Sequence, residues 1–401
     1  MSINRRFLLA ASALALLSAC SRPEPRIAGR WDAILTVNKA PVPFRFDLAT
    51  AGGNPTGTLF DGDSHVSSTR GSYRNGKLAL HFDAYDSDLN AAALNGALTG
   101  TYTRHYGKRD RVFPFTAKPF TAPQFTSSAQ APLDGSWRLT SADGKQIWTL
   151  QVTRRDHDLS GAILRLDGDT GSLNGFVDGN VFTLSHFSGA RPTLIEGAYQ
   201  PGAGTLAITV DREDHFTGVR ESEAEQKQLA PPPDPFGSTK VKDPDAPFAF
   251  QFPDRTGRMF TAVDFRGKPL VVSIGGTWCP NCMDEAPFLV DLYRRYHPRG
   301  LQIVGLNFET GEQAYNRKRV QSFIERFDIP YPILIAGPPD GAATQLPQLV
   351  HFAAFPTTIF VGSDGLVKGI HDGFASVATG SEHEKLKQET DQIVERLLAA
   401  H

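Results

Sequence analysis

The sequence predicts a multidomain protein: an all-β N-terminal region, built from two repeated β units, followed by an α/β domain. Its 401 residues exceed the length of one ordinary domain, so two or three domains are expected. Residues 29–219 contain short alternating apolar runs broken by Gly, Asp-Gly and Asn-Gly turns, which indicates antiparallel hairpins. After a proline-rich stretch, apolar strands alternate with helical segments, which indicates a mixed sheet covered by helices.

The composition is that of a globular protein. Apolar residues make up 40% of the chain and charged residues 21%, with a formal net charge of -2. This charge does not favour a nucleic-acid partner, so none is expected. No run of about 18 apolar residues occurs, so no transmembrane helix of ordinary length is expected.

The N-terminus is predicted to be a lipoprotein signal peptide over residues 1–19. Arg5 and Arg6 precede an apolar run at 7–17, as in the charged and hydrophobic parts of export signals. The run ends in the letters LSAC, which resemble a bacterial lipobox, and this resemblance implies that Cys20 carries a diacylglyceryl group. An ordinary secretory signal with an incidental cysteine is the alternative. Two or three lipid chains would anchor the protein firmly.

The predicted location is the periplasm, with residues 20–28 as a lipid-anchored tether. Ser21 follows the lipidated cysteine and leaves open whether the inner or the outer membrane holds the protein. Disulfides persist in this oxidising compartment. Once Cys20 is lipidated, Cys279 and Cys282 are the only thiols of the chain.

The β-rich region is interpreted as two copies of one unit, at 29–120 and 132–220, each of roughly six or seven strands. Four pairs of segments recur in the same order at an offset near one hundred residues. They are GRWDAILTV (29–37) with GSWRLTS (135–141), TGTLF (56–60) with SGAIL (160–164), GSYRNGKLALHF (71–82) with GSLNGFVDGNVFTLSHF (171–187), and LTGTY (98–102) with IEGAY (195–199). The alternative is that all glycine-punctuated hairpin sequences look alike.

No catalytic constellation is visible in this β-rich region, which is expected to serve as a spacer or docking module. Its histidines are scattered without metal-ligand spacing, among them His81, His157, His186 and His215. Residues 221–246 include three consecutive prolines and are predicted to be a linker. The α/β domain is predicted over 247–401.

Cys279 and Cys282 lie where the apolar strand at 270–274 passes into a predicted helix. Helix N-terminal N–H groups stabilise a thiolate, and a second thiol three residues on can resolve a mixed disulfide. A zinc site normally needs four ligands, and only two thiolates are available. A structural disulfide across two residues would close too short a loop to stabilise much. A working redox centre is therefore favoured over both.

Two segments resemble the thioredoxin-fold thiol–disulfide oxidoreductases of the TlpA/ResA type: DFRGKPLVVSIGGTWCPNCMDEAPFL and FPTTIFVGSDG. The resemblance covers about 245–400. It implies that Cys279 is the nucleophile and Cys282 the resolving thiol. It also implies that Trp278 flanks the site and that Pro356 is a cis-proline facing the disulfide. Phe355 would then offer its backbone to an extended substrate.

Glu285 matches the family's glutamate, and the resemblance implies proton transfer with Cys282. On a helix it shares a face with Cys282, and an apolar setting would raise its pKa. A first-turn glutamate favoured by the helix dipole is the alternative. The sequence departs from the family in the order Pro280-Asn281, in the letters SIGG before the motif and in Met283, where the family usually has Arg or Lys.

The predicted function is that of a membrane-anchored disulfide reductase. The resemblance implies protein disulfides as substrates and a membrane thiol relay of the DsbD or CcdA kind as electron donor. No nucleotide-binding glycine motif is visible, so no cofactor is expected. A dithiol oxidase, a peroxiredoxin-like peroxidase and a binding protein acting through the β repeats are the alternatives. Peroxiredoxins place Thr where Gly276 stands, which disfavours the peroxidase.

Overall fold

The computed structural model describes residues 26–51, 54–128 and 130–400. The predicted signal peptide and the lipidated Cys20 lie outside the described residues. The described chain forms two antiparallel sheets followed by a mixed sheet with helices. Among its helices, none is both long and apolar enough to cross a membrane.

The first sheet contains nine antiparallel strands. They are β1 (Gly29–Val37), β2 (Ala40–Ala51), β3 (Asn54–Asp61), β4 (Ser64–Ser67), β5 (Arg70–Arg74), β6 (Lys77–Phe82), β7 (Ser87–Leu94), β8 (Ala97–Tyr106) and β9 (Arg109–Pro119). Their order is β4-β3-β2-β1-β9-β8-β7-β6-β5. Consecutive strands therefore pair, except that β4 and β5 lie at the two ends of the order, and β1 pairs with β9.

The second sheet also contains nine strands. They are β10 (Gly135–Ser141), β11 (Ile147–Arg155), β12 (Asp158–Arg165), β13 (Gly168–Asp169), β14 (Leu173–Asp178), β15 (Val181–His186), β16 (Thr193–Gln200), β17 (Thr205–Val210) and β18 (Asp214–Arg220). Their order is β11-β10-β18-β17-β16-β15-β14-β12-β13, and an additional β11–β12 pairing closes the sheet on itself. Each sheet thus has more strands than the six or seven predicted, because strands as short as β4 and β13 carry no alternating apolar pattern.

Alternation and turn chemistry explain these hairpins. In β6, Leu78, Leu80 and Phe82 are buried and the residues between them are not, as expected when successive side chains point to opposite faces. The turn before β6 places Asn75 and Gly76 at φ 52° and 72°. Type I′ hairpin turns require positive φ at both central positions, and Asn-Gly adopts it readily.

The C-terminal part is a five-stranded mixed sheet with helices and short accessory strands. Its elements, with those that precede it, are α1 (Glu221–Gln226), β19 (Lys240–Val241), β20 (Gln251–Pro253), β21 (Met259–Thr261), β22 (Leu270–Gly275), α2 (Pro280–Tyr296), β23 (Gln302–Phe308), α3 (Gln313–Phe327), β24 (Ile333–Gly337), α4 (Ala342–Gln345), β25 (Leu349–Val350), β26 (Thr357–Val361), β27 (Val367–Asp372) and α5 (Ser381–Ala399). The order is β24-β23-β22-β26-β27. Strands β22, β23 and β24 are parallel, and β26 and β27 are antiparallel to their neighbours. Every residue of the central strand β22 is buried.

The segment predicted as a linker is docked on the α/β domain in its second half. Strand β19 pairs with β25. The Thr239 amide and hydroxyl donate to the Asp372 carboxylate at 2.8 and 2.6 Å, and the Thr357 hydroxyl donates to it at 2.9 Å. The prolines at 231–233 stay outside helices and strands. The second half of this segment is therefore held against the α/β domain by specific hydrogen bonds.

We expect Asp372→Ala to lower the free energy of unfolding by about 3 kcal/mol, because the buried Thr239 amide would lose its acceptor and the Thr239 and Thr357 hydroxyls would each lose one of two. Urea unfolding followed by tryptophan fluorescence measures this loss. Asp364→Ala is the control, since Asp364 is an exposed partner of Lys368 and surface pairs contribute at most about 1 kcal/mol. Equal losses in the two variants would contradict the assignment.

Candidate active site

The two cysteines lie at the start of helix α2, directly after the central strand. Cys279 is the N-cap residue of α2, and its Sγ accepts a hydrogen bond from the Cys282 amide at 3.3 Å. Pro280 occupies the first helical position, where its missing N–H leaves no partner unsatisfied. Both cysteines are free thiols, with exposed fractions of 4% and 5%. The positive end of the helix therefore faces the first thiol.

Two glycines make room for this arrangement. A Cβ on Gly275 would lie 3.2 Å from the Cys282 Sγ. A Cβ on Gly276 would lie 2.4 Å from the Trp278 Nε1 and 2.5 Å from the Phe308 carbonyl oxygen, so no larger residue fits there. Glycine at position 276 therefore fits the positions of the indole ring and of the Phe308 carbonyl. A threonine at position 276 would not be accommodated.

The residues predicted to bind substrate surround Cys279. The peptide bond between Phe355 and Pro356 is cis, and the Cys279 thiol donates to the Phe355 carbonyl at 3.4 Å. The Trp278 ring packs edge-on against the Phe355 ring at 5.5 Å, and its Nε1 donates to the Phe308 carbonyl at 2.8 Å. The structure therefore brings together Cys279, Trp278, Phe355 and Pro356.

Glu285 lies buried behind the cysteine pair, with 3% of its surface exposed. Its carboxylate accepts hydrogen bonds from the Ser273 hydroxyl at 2.8 Å and the Thr358 hydroxyl at 2.5 Å. Burial outweighs both bonds and raises the pKa of Glu285 to about 7. Burial, and then the neighbouring Cys279 and Glu285, raise the pKa of Cys282 well above its ordinary value. A carboxyl group that titrates near neutrality thus lies beside a thiol that stays protonated.

A second buried glutamate, Glu309, holds the loop that precedes Cys279. It accepts from the Thr277 amide at 2.9 Å and the Thr277 hydroxyl at 2.6 Å. Burial raises its pKa. The two partners are 32 residues apart in sequence, so no local pattern connects Glu309 with this loop.

The second β sheet contacts the residues between the cysteines. The Asn281 side-chain amide donates to the Asp167 carbonyl at 2.7 Å. The Arg191 guanidinium donates to the Asn281 side-chain oxygen and to the Asp169 carbonyl, and it pairs with Asp284 at 3.1 Å. Despite Arg191, burial raises the pKa of Asp284 to about 7. Sequence reasoning missed Arg191 and Asp284, because no local pattern marks residues that meet across units.

The first β sheet reaches the same end of the α/β domain. The Arg104 guanidinium donates to the Trp278 carbonyl at 2.5 Å. The Arg319 guanidinium, from α3, donates to the Asp83 and Ala84 carbonyls at 2.5 and 2.7 Å. The β-rich region therefore lies against the cysteine-bearing end of the domain. A region that served only as a spacer would not need these hydrogen bonds.

The arrangement can perform dithiol–disulfide exchange. It combines a nucleophile at a helix N-cap, a resolving thiol and a buried acid that titrates near neutrality. Within residues 26–51, 54–128 and 130–400, no group of three or more His, Cys, Asp or Glu side chains is arranged to hold a metal ion.

Comparison with known proteins finds similarity in the part of the chain that contains the two cysteines. Residues 244–370 match the model of the AhpC/TSA family. Over 124 residues the chain is 33% identical to the thiol-disulfide oxidoreductase ResA of Geobacillus thermodenitrificans; the match covers 31% of this chain and 66% of the relative, just under two thirds. It is 28% identical over 124 residues to the thioredoxin-like protein YneN of Bacillus subtilis, covering 31% of this chain and 68% of that protein.

Solved structures similar to the chain include a thiol:disulfide interchange protein of the thioredoxin family from Chlorobium tepidum. That comparison has 25% identity and a TM-score of 0.31, and it covers 40% of this chain and 99% of the other. A DsbF homologue from Corynebacterium diphtheriae has 20% identity and a TM-score of 0.32, with coverage of 40% and 93%.

Proposed function

We propose, from the premise that the C-terminal domain is thioredoxin-like and similar to ResA thiol-disulfide oxidoreductases, that this protein reduces protein disulfides in the periplasm. The observation that carries the proposal is the geometry of the cysteine pair. Cys279 caps helix α2, the Cys282 amide donates to its sulfur, and Glu285 lies buried behind both.

The reaction proceeds by two exchanges. The Cys279 thiolate attacks one sulfur of a target disulfide, so the target S–S bond breaks and its other sulfur leaves as a thiolate. The Glu285 carboxylate takes the proton of Cys282, whose thiolate attacks the Cys279 sulfur and releases the target's second thiolate. Two electrons pass to the target, and the protein is left with a Cys279–Cys282 disulfide.

Two electrons must then return to the protein. We assign this step to a membrane thiol relay of the DsbD or CcdA kind, as the resemblance to TlpA/ResA proteins suggests. A lipid anchor at Cys20 would keep the domain near such a relay. The support for the anchor is the charged and apolar N-terminal sequence that ends in the lipobox-like letters LSAC.

We infer that the two β sheets are copies of one unit. The Trp31 indole N–H donates to the Ile27 carbonyl at 2.9 Å, and the Trp137 indole N–H donates to the Leu133 carbonyl at 2.8 Å, four residues back in both sheets. Strand order supports the same correspondence from β1 with β10 to β9 with β18. One predicted segment match differs from this correspondence, because 98–102 lies in β8 whereas 195–199 lies in β16, the counterpart of β7.

A peroxidase is the second candidate, since the matching family model is that of the AhpC/TSA family. Gly276 stands against it, because a Cβ there would collide with the Trp278 ring and the Phe308 carbonyl. A peroxidatic threonine cannot occupy the position. Comparing turnover of hydrogen peroxide with that of insulin disulfides separates the two candidates, and faster peroxide turnover would favour the peroxidase.

Trapping with Cys282→Ser tests the proposal directly. The variant should form a stable mixed disulfide between Cys279 and a reducible protein such as insulin, visible by mass spectrometry, because the resolving thiol is missing. The reduction potential of the wild-type pair, titrated against glutathione, fixes the direction. A value at or below about -220 mV supports a reductant, whereas a value near -120 mV would replace the reductase by an oxidase.

A further inference from the structure

We propose that Arg191, from the second β unit, is a positioning residue of the redox centre: it holds the Asn281 side chain between the two cysteines and supplies a positive charge at the start of helix α2. The inference rests on the proposed function and deepens it, because it makes the β-rich region part of the reactive site.

The contacts of Arg191 converge on the start of helix α2. Its guanidinium donates to the Asn281 side-chain oxygen and pairs with Asp284. It also donates to the Asp169 carbonyl of its own unit. The other end of the Asn281 amide donates to the Asp167 carbonyl. Both polar atoms of the Asn281 side chain are thus held by the second unit.

The surfaces are shaped for this close approach. Gly168 has φ 114°, and a Cβ there would lie 2.2 Å from the Asn281 side-chain nitrogen. Across the contact, a Cβ on Gly373 would lie 2.4 Å from the Leu166 carbonyl oxygen. The Ser376 amide donates to the Asp169 carboxylate at 2.5 Å. Glycine on both sides of the contact lets one backbone reach the other.

The charge of Arg191 is retained at this contact. Its side chain is only 16% exposed. Burial opposes the charged form, but Asp284, Asp169, Tyr85 and Cys279 together raise the pKa of Arg191. Pro280 and Asn281, between the cysteines, and Met283, directly after them, carry no charge. Arg191 therefore provides across the unit boundary a cation that the motif itself lacks.

Other charged and titratable groups also lie near Arg191 and the start of α2, and they contribute to the same local electrostatic field. They are Asp61, Tyr85 and Arg104 of the first unit, Asp169 and His186 of the second, Cys279, and Cys282, Asp284 and Glu285 of α2. Arg191 is the member that contacts both the second unit and the residues between the cysteines.

Arg191→Gln tests the proposal in the full chain kept in detergent. Alkylation of Cys279 by iodoacetamide, followed on its peptide by mass spectrometry in the Cys282→Ser background, should slow about tenfold at pH 7, because less of the thiol is ionised. At a pH where the thiol is fully ionised the two rates should agree. In proteins that retain both cysteines, the equilibrium with glutathione should shift about tenfold toward the disulfide, or about 30 mV.

Arg191→Lys should recover most of the neutral-pH rate, since it restores the charge. Asp284→Asn removes the anion that pairs with Arg191 and should therefore speed the alkylation of Cys279. This variant tests the proposal independently if Arg191→Gln does not fold. Arg138→Met is the matched control: Arg138 is a buried arginine of the same unit that pairs with Glu221. It should lose stability without changing the pH profile or the potential.

The positioning role would be overturned if Arg191→Gln and Arg138→Met had the same pH profile of Cys279 alkylation and the same reduction potential. An unchanged alkylation rate in Asp284→Asn would also overturn it. Neither result touches the proposed function, which fails separately if Cys279→Ser still reduces insulin disulfides.

Discussion

Cys279→Ser is expected to abolish disulfide reduction, with a loss of at least about a thousandfold in the rate of insulin reduction. A serine hydroxyl stays protonated at neutral pH and is a poor nucleophile toward sulfur. Of the two thiols in the described chain, Cys279 is the one at the helix N-cap beside Phe355 and Trp278. The steady-state rate with dithiothreitol as the electron source measures the loss.

Cys282→Ser is the matched control for this prediction. It removes a thiol from the same pair but leaves the predicted nucleophile in place. We expect Cys282→Ser to lose turnover and to accumulate the mixed disulfide, whereas Cys279→Ser accumulates none. A mixed disulfide formed through Cys282 in the Cys279→Ser variant would reverse the assigned roles.

Glu285→Gln is expected to slow turnover about a hundredfold, the range in which positioned proton transfer contributes. The pKa of Cys282 is raised well above its ordinary value, so this thiol needs a base before it can attack. The expected loss therefore falls on resolution of the mixed disulfide, not on its formation. Rapid-quench sampling should show the mixed disulfide building up, and slower formation without build-up would contradict the role.

The same substitution should change how stability depends on pH. The pKa of Glu285 is about 7 in the folded protein against 4.5 for the ordinary group. Between those values the folded state holds the proton more tightly than the unfolded state, so wild-type stability falls as pH rises. Glu285→Gln removes this term. The free energy of unfolding of the variant minus that of wild type should therefore be larger at pH 8 than at pH 5, by about 3 kcal/mol.

Glu395→Gln provides a control of opposite sign. Glu395 is exposed and pairs with Arg299, which lowers its pKa. Its contribution is present at neutral pH and is lost as pH falls, so replacing it should bring no gain at pH 8. Urea unfolding of wild type and both variants at pH 5 and pH 8 measures these differences in the free energy of unfolding. A stability difference for Glu285→Gln that does not change with pH would contradict the raised pKa.

Much of the fold could be predicted because its signals are local. The Asn75-Gly76 turn and the alternation in β6 specify a hairpin without reference to anything distant. The buried strand β22, followed by cysteines at a helix start, is equally local. The predicted number of strands is too low, because β13 is only two residues long and its pairing with β12 is decided by the sheet around it.

The sequence by itself determined the chemistry: two thiols at the spacing and the helix start that disulfide exchange needs, with an acid one turn on. The tertiary structure alone decided the surroundings of those thiols. Arg191 meets Asn281 across 90 residues, and Arg104 meets Trp278 across 174. Such contacts depend on how the sheets pack against one another, and this packing leaves no period or motif in the chain. Burial, which sets the raised pKa of Glu285, is likewise a property of the assembled core.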